Sequence, residues 1–177
     1  QGYDTLITFS GAYFNHLAVT ASVGEKFGFK TVEIIRGQEL AHKIEENSTL
    51  SFAQKCGMQF KFISRSLYRE KEKSQFISNL KKEFGDFYLL PEGGTNLLAI
   101  KGCEEILTED DKSFDYICTS VGTGGTIAGI INSAESNQKI IGFSSLKGEF
   151  LKDEIRKWTT NSNWELNTDF HFEGYAK

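Results

Sequence analysis

The chain has 177 residues, of which 39% are hydrophobic, 13% aromatic and 25% charged. This composition predicts a packed core and excludes a disordered chain, and the length suits one domain or two small ones. A net charge of −4 and a single proline argue against a nucleic-acid binder, an anionic-membrane binder and a proline-rich linker.

No apolar run approaches the roughly 18 residues that a membrane span needs, and no basic-then-apolar leader opens the sequence. Three widely spaced cysteines without a CxxC pair predict unpaired, mostly buried thiols in a reducing compartment. They are Cys56, Cys103 and Cys118. The histidines, His16, His42 and His171, have no metal-ligand spacing, so we expect no metal site.

Short apolar runs alternate with helical patterns along the whole chain. In chain order we predict strand 6–9, helix 15–27, strand 31–35, a helix capped by Ser48 or Thr49 and stopped at Gly57, strand 60–63, a loop and helix start over 64–75, and a helix to residue 84. There follow strand 87–90, a helix through Leu97, Ile100, Cys103 and Leu107, a strand that starts at 116–118 and leads into Val121, a helix from 127, strand 139–143 and a helix through Leu151, Ile155 and Trp158.

This alternation predicts parallel strands joined by right-handed helical crossovers, which gives an α/β fold of three layers, α/β/α. The predicted seam lies near residues 85–87 and divides the chain into a smaller α/β domain, 1–86, and part of a larger one, 87–177. Because the chain opens on Gln1 and stops without a terminating signal, we expect it to be a fragment of a longer protein.

The richest candidate site is the glycine turn Gly122-Thr123-Gly124-Gly125-Thr126, which follows a strand and precedes a helix. Glycines let successive backbone N–H groups point at one anion, and the helix N-terminus adds partial positive charge. The turn lacks the lysine of a Walker loop and the spacing of GxGxxG. We interpret it as a phosphate-binding turn rather than a turn that merely packs tightly.

The second candidate is Ser10-Gly-Ala-Tyr-Phe-Asn-His16, between the first strand and its helix. Asn15 could cap that helix or present its amide to a ligand, and both interpretations stay open. Tyr13 and Phe14 could line a pocket or belong to the core, while a structural hydrogen bond is the commoner role for His16.

The third candidate is Pro91-Glu-Gly-Gly-Thr-Asn96, which by itself indicates a turn and a helix cap. Ligands of open parallel sheets bind beyond the carboxyl ends of the strands, so we expect these three segments, with loops 36–40 and 144–148, to share one edge. Lys147 lies near that edge, and we interpret it as a surface lysine.

Together, Ser10–His16, Pro91–Asn96 and Val121-Gly-Thr-Gly-Gly-Thr126 resemble the aminocyclopropane-carboxylate deaminase / D-cysteine desulfhydrase family. These are pyridoxal-phosphate enzymes with the tryptophan-synthase-β-like fold (fold type II). The resemblance covers essentially the whole chain in order. The glycine turn is shared across the superfamily, and the Asn-His segment narrows the match to this branch.

The resemblance implies pyridoxal 5'-phosphate as cofactor and a small amino acid as substrate, either 1-aminocyclopropane-1-carboxylate or D-cysteine, giving a 2-keto acid and ammonia. It implies that Asn15 contacts the cofactor's phenolic oxygen and that Gly122, Thr123, Gly124, Gly125 and Thr126 hold its phosphate. Tyr13, Phe14 and His16, with Gly93, Gly94 and Thr95, would line the substrate cleft. A cytoplasmic homodimer, without nucleic-acid or membrane partners, is expected for the full-length protein.

Two departures from the family pattern bear on activity. Phe14 stands where the family usually has a serine, which removes a hydroxyl and adds bulk. No Ser-Gly-Asn-Lys-type segment is present, so no lysine here matches the Schiff-base lysine, and we expect the isolated chain to be inactive.

Two alternatives from other classes remain. A non-catalytic α/β module that keeps an anion or cofactor site would explain both departures. A nucleotide-binding domain would need an acidic residue about twenty positions after the glycine turn to contact a ribose, and Ser144-Ser145 stands there instead. We therefore rank the nucleotide-binding domain last.

Overall fold

The structure, a computed structural model, describes residues 2–170; His171 lies outside this range. The described residues form two compact units that divide between Gly93 and Gly94. The elements of the first are β1 Thr5–Ser10, α1 Asn15–Phe27, β2 Lys30–Arg36, α2 Ser48–Lys55, β3 Gln59–Ile63, α3 Arg65–Tyr68, α4 Ser74–Phe84 and β4 Tyr88–Leu89.

The first unit is a parallel sheet in the order β3-β2-β1-β4. Its register pairs Ile7 with Val32 and Ile35 with Phe62. Residues on both faces of β1 and β2 are buried, as expected for parallel strands covered by helices on each side. The sheet is therefore the middle of three layers.

Two hydrophobic clusters form the core of this unit. Ile7, Phe9, Val32 and Ile34 pack with Tyr68, Phe76 and Leu80 from α3 and α4. On the opposite face Ile35 packs with Leu17 and Ala21 of α1 and with Leu50 and Ala53 of α2. The alternation of side chains along β2 explains this division, because neighbouring residues point to opposite faces.

The second unit consists of α5 Leu97–Cys103, β5 Tyr116–Val121, α6 Gly125–Ser133, β6 Lys139–Ser144, α7 Phe150–Arg156 and β7 Trp164–Asn167. Its parallel sheet has the order β5-β6-β7. The core contains Val121, Ile127, Ile131, Ile140, Leu151 and Ile155. This core brings α6 and α7 against the sheet.

The structure corrects several expectations. β7 is a strand where the sequence analysis placed none, and α5 ends at Cys103, so Leu107 is not part of that helix. Asn47, rather than Ser48 or Thr49, caps α2. The predicted loop and helix start over 64–75 contains the short helix α3.

The division between the units lies after β4 rather than at residues 86/87. β4 pairs with β1 through Leu6 with Tyr88 and Ile7 with Leu89, and Phe87 is buried in the first core. Strand pairing therefore keeps residues 87–93 with the first unit.

The thiols are unpaired, but the expectation that most are buried is wrong. Cys118 is exposed, and Cys56 and Cys103 are only partly buried. Cys118 points away from the core because alternate residues of β5 are exposed. Within residues 2–170, no helix is both long and apolar enough to cross a bilayer.

Candidate cofactor-binding site

The loop after β1 presents Asn15 to solvent. Phe14 is the N-cap of α1 and makes no side-chain cap hydrogen bond, so Asn15 is the first helical residue rather than the cap. Its side chain is exposed, and no hydrogen bond of its amide is found within the described residues. Tyr13 is 58% exposed, whereas Phe14 is half-buried. The amide of Asn15 is therefore available to a ligand.

His16 points into the first unit. Its Nε2 lies 2.7 Å from Oγ1 of Thr8, a residue of β1 that is fully buried. Burial lowers the pKa of His16, and the negative charge of Glu92 offsets part of that effect. A neutral imidazole that bonds the sheet has a positioning role for α1, which agrees with the commoner interpretation of this residue.

Asn47 holds the same loop, and the sequence analysis missed it. Its Oδ1 accepts hydrogen bonds from the N–H groups of Thr49 and Leu50, and its Nδ2 donates to the Ala12 carbonyl at 3.1 Å. Asn is a favoured N-cap, so its place before Ser48 was the available signal. No feature of the sequence predicted the contact between Asn47 and Ala12, which is 35 residues away.

The glycine turn opens α6. Gly124 is the N-cap with φ 91°, a left-handed conformation that favours glycine, and no side chain caps the helix. The N–H groups of Gly125, Thr126 and Ile127 lie in the first turn and therefore have no acceptor within the helix. The hydroxyls of Thr123 and Thr126 belong to exposed residues. These donors suit a phosphate group.

The loop at residues 94–96 packs against this turn within the second unit. Oγ1 of Thr95 lies 2.8 Å from Oγ1 of Thr123. A Cβ on Gly125 would come within 2.9 Å of Thr95 Oγ1, so glycine is needed for this approach. The structure thus brings together two segments that the sequence analysis selected separately.

Glu92 fixes the other end of that loop. Its two carboxylate oxygens contact Tyr68 Oη at 2.9 Å and Lys71 Nζ at 3.3 Å. Burial and the negative charge of Glu92 raise the pKa of Tyr68, so the phenol stays protonated and donates. Gly93 and Gly94, with φ of 72° and 73°, follow directly. No sequence signal links Tyr68 to Glu92.

The predicted binding loops do not all follow the strands of one sheet, because the chain forms two sheets. Loops 10–16, 36–40 and 91–93 follow the strands of the first sheet, and 122–126 and 144–148 follow those of the second. Lys147 is exposed, as interpreted. Each sheet has its ligand-type residues at the carboxyl ends of its strands, where parallel sheets bind ligands.

This architecture matches the fold of several solved structures. The structure superposes on the crystal structure of an ACC deaminase homologue with a TM-score of 0.75 at 23% identity, over 99% of this chain and 58% of that chain. A pyridoxal 5'-phosphate-dependent aspartate racemase superposes with a TM-score of 0.64 at 18% identity, over 88% of this chain and 45% of the other. The fold is the tryptophan-synthase-β-like fold, fold type II.

The sequence comparison gives the family. The bifunctional D-cysteine desulfhydrase/1-aminocyclopropane-1-carboxylate deaminase of Arabidopsis thaliana, a mitochondrial protein, is 30% identical over 145 residues, covering 73% of this chain and 36% of its own length. Curated relatives match at 26–31% identity. The chain is homologous to the aminocyclopropane-carboxylate deaminase / D-cysteine desulfhydrase family, and the resemblance read from its motifs is confirmed.

The chain spans 36–43% of the length of the curated relatives that it matches. No family model matches the sequence.

Proposed function

We propose that this chain is the part of a pyridoxal-phosphate-dependent deaminase or desulfhydrase that binds the phosphate and one side of the cofactor ring. The full protein would release ammonia from a small amino acid, 1-aminocyclopropane-1-carboxylate or D-cysteine, and leave a 2-keto acid. The uncapped first turn of α6 is the observation that carries this proposal, because it offers several N–H donors and no side chain of its own to satisfy them.

The residues present fit the cofactor. A dianionic phosphate would accept from the amides of Gly125, Thr126 and Ile127 and from the exposed hydroxyl of Thr126, and the helix dipole would favour its charge. Asn15 would donate its amide to the phenolic oxygen. When bound, the cofactor supplies an electron sink for the carbanion formed at the substrate's α-carbon.

The residues of this chain would bind and orient rather than transfer protons. Thr95 holds Thr123 through their hydroxyls and so fixes the wall of the phosphate turn. Tyr13, Phe14, Gly93 and Gly94 are the remaining candidates for the substrate cleft. His16 is better suited to holding α1, since its Nε2 is already bonded to Thr8.

A second candidate function is a non-catalytic module that retains the anion site. Phe14, which has no hydroxyl, favours it, as does the lack of a lysine in a Ser-Gly-Asn-Lys-type segment. Ammonia release from D-cysteine by the protein containing this chain would exclude it. Cofactor binding without ammonia release would support it.

Thr126→Val tests the cofactor proposal. The change keeps the side-chain shape and removes one hydroxyl that would bond a charged phosphate, an interaction worth roughly 1.5–3 kcal/mol. We expect the affinity for pyridoxal 5'-phosphate to fall about tenfold or more. Phosphorus NMR during titration measures this directly, without relying on activity.

Thr160→Val is the matched control, because Thr160 is exposed in the same unit and far along the chain from the glycine turn. It should leave the affinity unchanged. Equal affinities for all three proteins would remove Thr126 from the site.

The full-length protein is proposed to be a homodimer that acts on a small amino acid in the cytoplasm. Sedimentation equilibrium tests the first statement and cell fractionation the second. Because the relative from Arabidopsis thaliana is mitochondrial, fractionation is needed to decide the compartment of this protein.

A further inference from the structure

Glu33 is a carboxyl group in the core of the first unit without a partner. It lies at the middle of β2, is 0% exposed, and neither of its carboxylate oxygens has a hydrogen-bond partner among the described residues. A buried charge without a partner is strongly destabilising, whereas a neutral carboxyl is far less so. The location therefore selects the protonated form.

The position of Glu33 is defined by strand register. It pairs with Thr8 of β1 and with Phe60 of β3. Because Ile35 packs with α1 and α2, Glu33 faces the same helices. Thr8 and Ser10, both fully buried, point to this face as well. The Thr8 hydroxyl contacts His16 Nε2 and the Ser10 hydroxyl donates to the Gly11 carbonyl. Neither hydroxyl makes a hydrogen bond of standard geometry to Glu33, although Ser10 lies close enough to favour its charged form.

The titratable groups around β2 leave Glu33 uncompensated. α1 contributes the neutral His16, and α3 contributes Tyr68, whose hydroxyl is bonded to Glu92. On β3, Lys61 pairs with Glu83 of α4, while Lys55 at the end of α2 is exposed. Arg36, on the same strand, places its guanidinium over the Tyr68 ring. None of these cations reaches a Glu33 oxygen.

We propose that Glu33 is a pH-responsive element of the first unit, because its neutral acid fits under α1 and its carboxylate does not. The ordinary pKa of a glutamate is 4.5, and burial raises the pKa of Glu33 to about 8. The Ser10 hydroxyl opposes this shift, and the negative charge of Glu92 adds to it. Ionisation at higher pH then loosens the layer on which α1, the carrier of Asn15, rests.

The sign of the effect follows from proton binding. Between pH 4.5 and about 8 the folded protein holds a proton on Glu33 that the unfolded chain has released. Glu33 therefore makes its full contribution to the free energy of unfolding below pH 4.5, and this contribution is lost as the pH rises towards 8. His16 acts oppositely, but only below its ordinary value of 6.5, so the test belongs above pH 6.5.

The test compares the wild type with Glu33→Gln in urea between pH 6.5 and 8. Amide NMR signals of Ile7 and Ile34 report the first unit, and the indole signals of Trp158 and Trp164 report the second. We expect the ratio of the first unit's unfolding constants, wild type over Glu33→Gln, to rise about tenfold per pH unit at first and to flatten as the pH approaches 8. The indole signals should show no such trend.

Glu46→Gln removes an exposed carboxylate from the same unit and is the matched control; its ratio to the wild type should stay flat. Glu33→Leu repeats the test without any polar atom. A folded Glu33 variant that keeps the wild-type pH dependence overturns the proposal. If neither variant folds, the neutral side chain does not fit and the proposal fails. The result is independent of cofactor binding.

Discussion

At the residue scale, single polar side chains with two partners do most to position the candidate site. Asn47 is 7% exposed and joins the start of α2 to the loop before α1. Glu92 similarly joins Tyr68 and Lys71 to the paired glycines that follow it. Each residue fixes a loop by contacts between segments distant in the sequence.

Asn47→Ala should destabilise the first unit by about 2 kcal/mol, because it removes a helix cap and leaves the buried Ala12 carbonyl without a donor. Urea unfolding followed by amide NMR signals of this unit measures the loss.

Asn47→Asp separates the two roles of Asn47. The aspartate keeps an acceptor for Thr49 and Leu50 but cannot donate to Ala12, so the cap survives and the loop contact does not. We expect α2 to remain capped while the amides of residues 12–15 exchange faster with solvent. Unchanged exchange at these amides would show that Asn47 does not hold the loop.

At the element scale, glycine allows α5 and α6 to pack closely. A Cβ on Gly129 of α6 would overlap Cys103 Cβ and lie 2.7 Å from the Ile100 carbonyl oxygen. Gly102 of α5 has open space instead. A side chain would therefore meet a neighbouring helix at Gly129 and open space at Gly102.

Gly129→Ala should lower the free energy of unfolding of the second unit by about 1–3 kcal/mol, because overpacking exceeds the gain in helix propensity. Gly102→Ala should raise it by about 0.5–1 kcal/mol, since alanine is the better helix former. Tryptophan fluorescence during urea unfolding reports this unit. Stabilisation by both changes would contradict the close packing.

At the scale of the whole molecule, each unit has its own core. The clusters of the first unit draw on residues 7–87, and the cluster of the second on residues 107–166. A unit with a separate core should fold by itself. Residues 1–93 should therefore give a dispersed amide NMR spectrum when expressed alone.

A shorter fragment that ends at the predicted seam, residues 1–86, is to be compared with residues 1–93. It lacks β4, the buried Phe87 and the Glu92 partner of Tyr68. We expect a lower urea midpoint than for residues 1–93. Equal midpoints would place the boundary of the unit before β4.

Much of the fold was predictable because local patterns determine local structure. Helix α1 occupies the predicted 15–27, and the strands predicted at 31–35, 60–63 and 139–143 agree with the structure to within one residue at each end. β7 was not predicted because only Trp164 and Leu166 of its four residues are apolar and the neighbouring residues are polar. Its strand character depends on pairing with β6.

By itself the sequence determined the parallel α/β class, the glycine turn and the family motifs, because periodicity and backbone freedom are properties of neighbouring residues. Only the tertiary structure decided that β4 pairs with β1 in the first unit, that Thr95 reaches Thr123, that Asn47 holds the Asn15 loop and that Glu33 is buried without a partner. These outcomes depend on distances between residues far apart in the chain and on access to water, which no local pattern specifies.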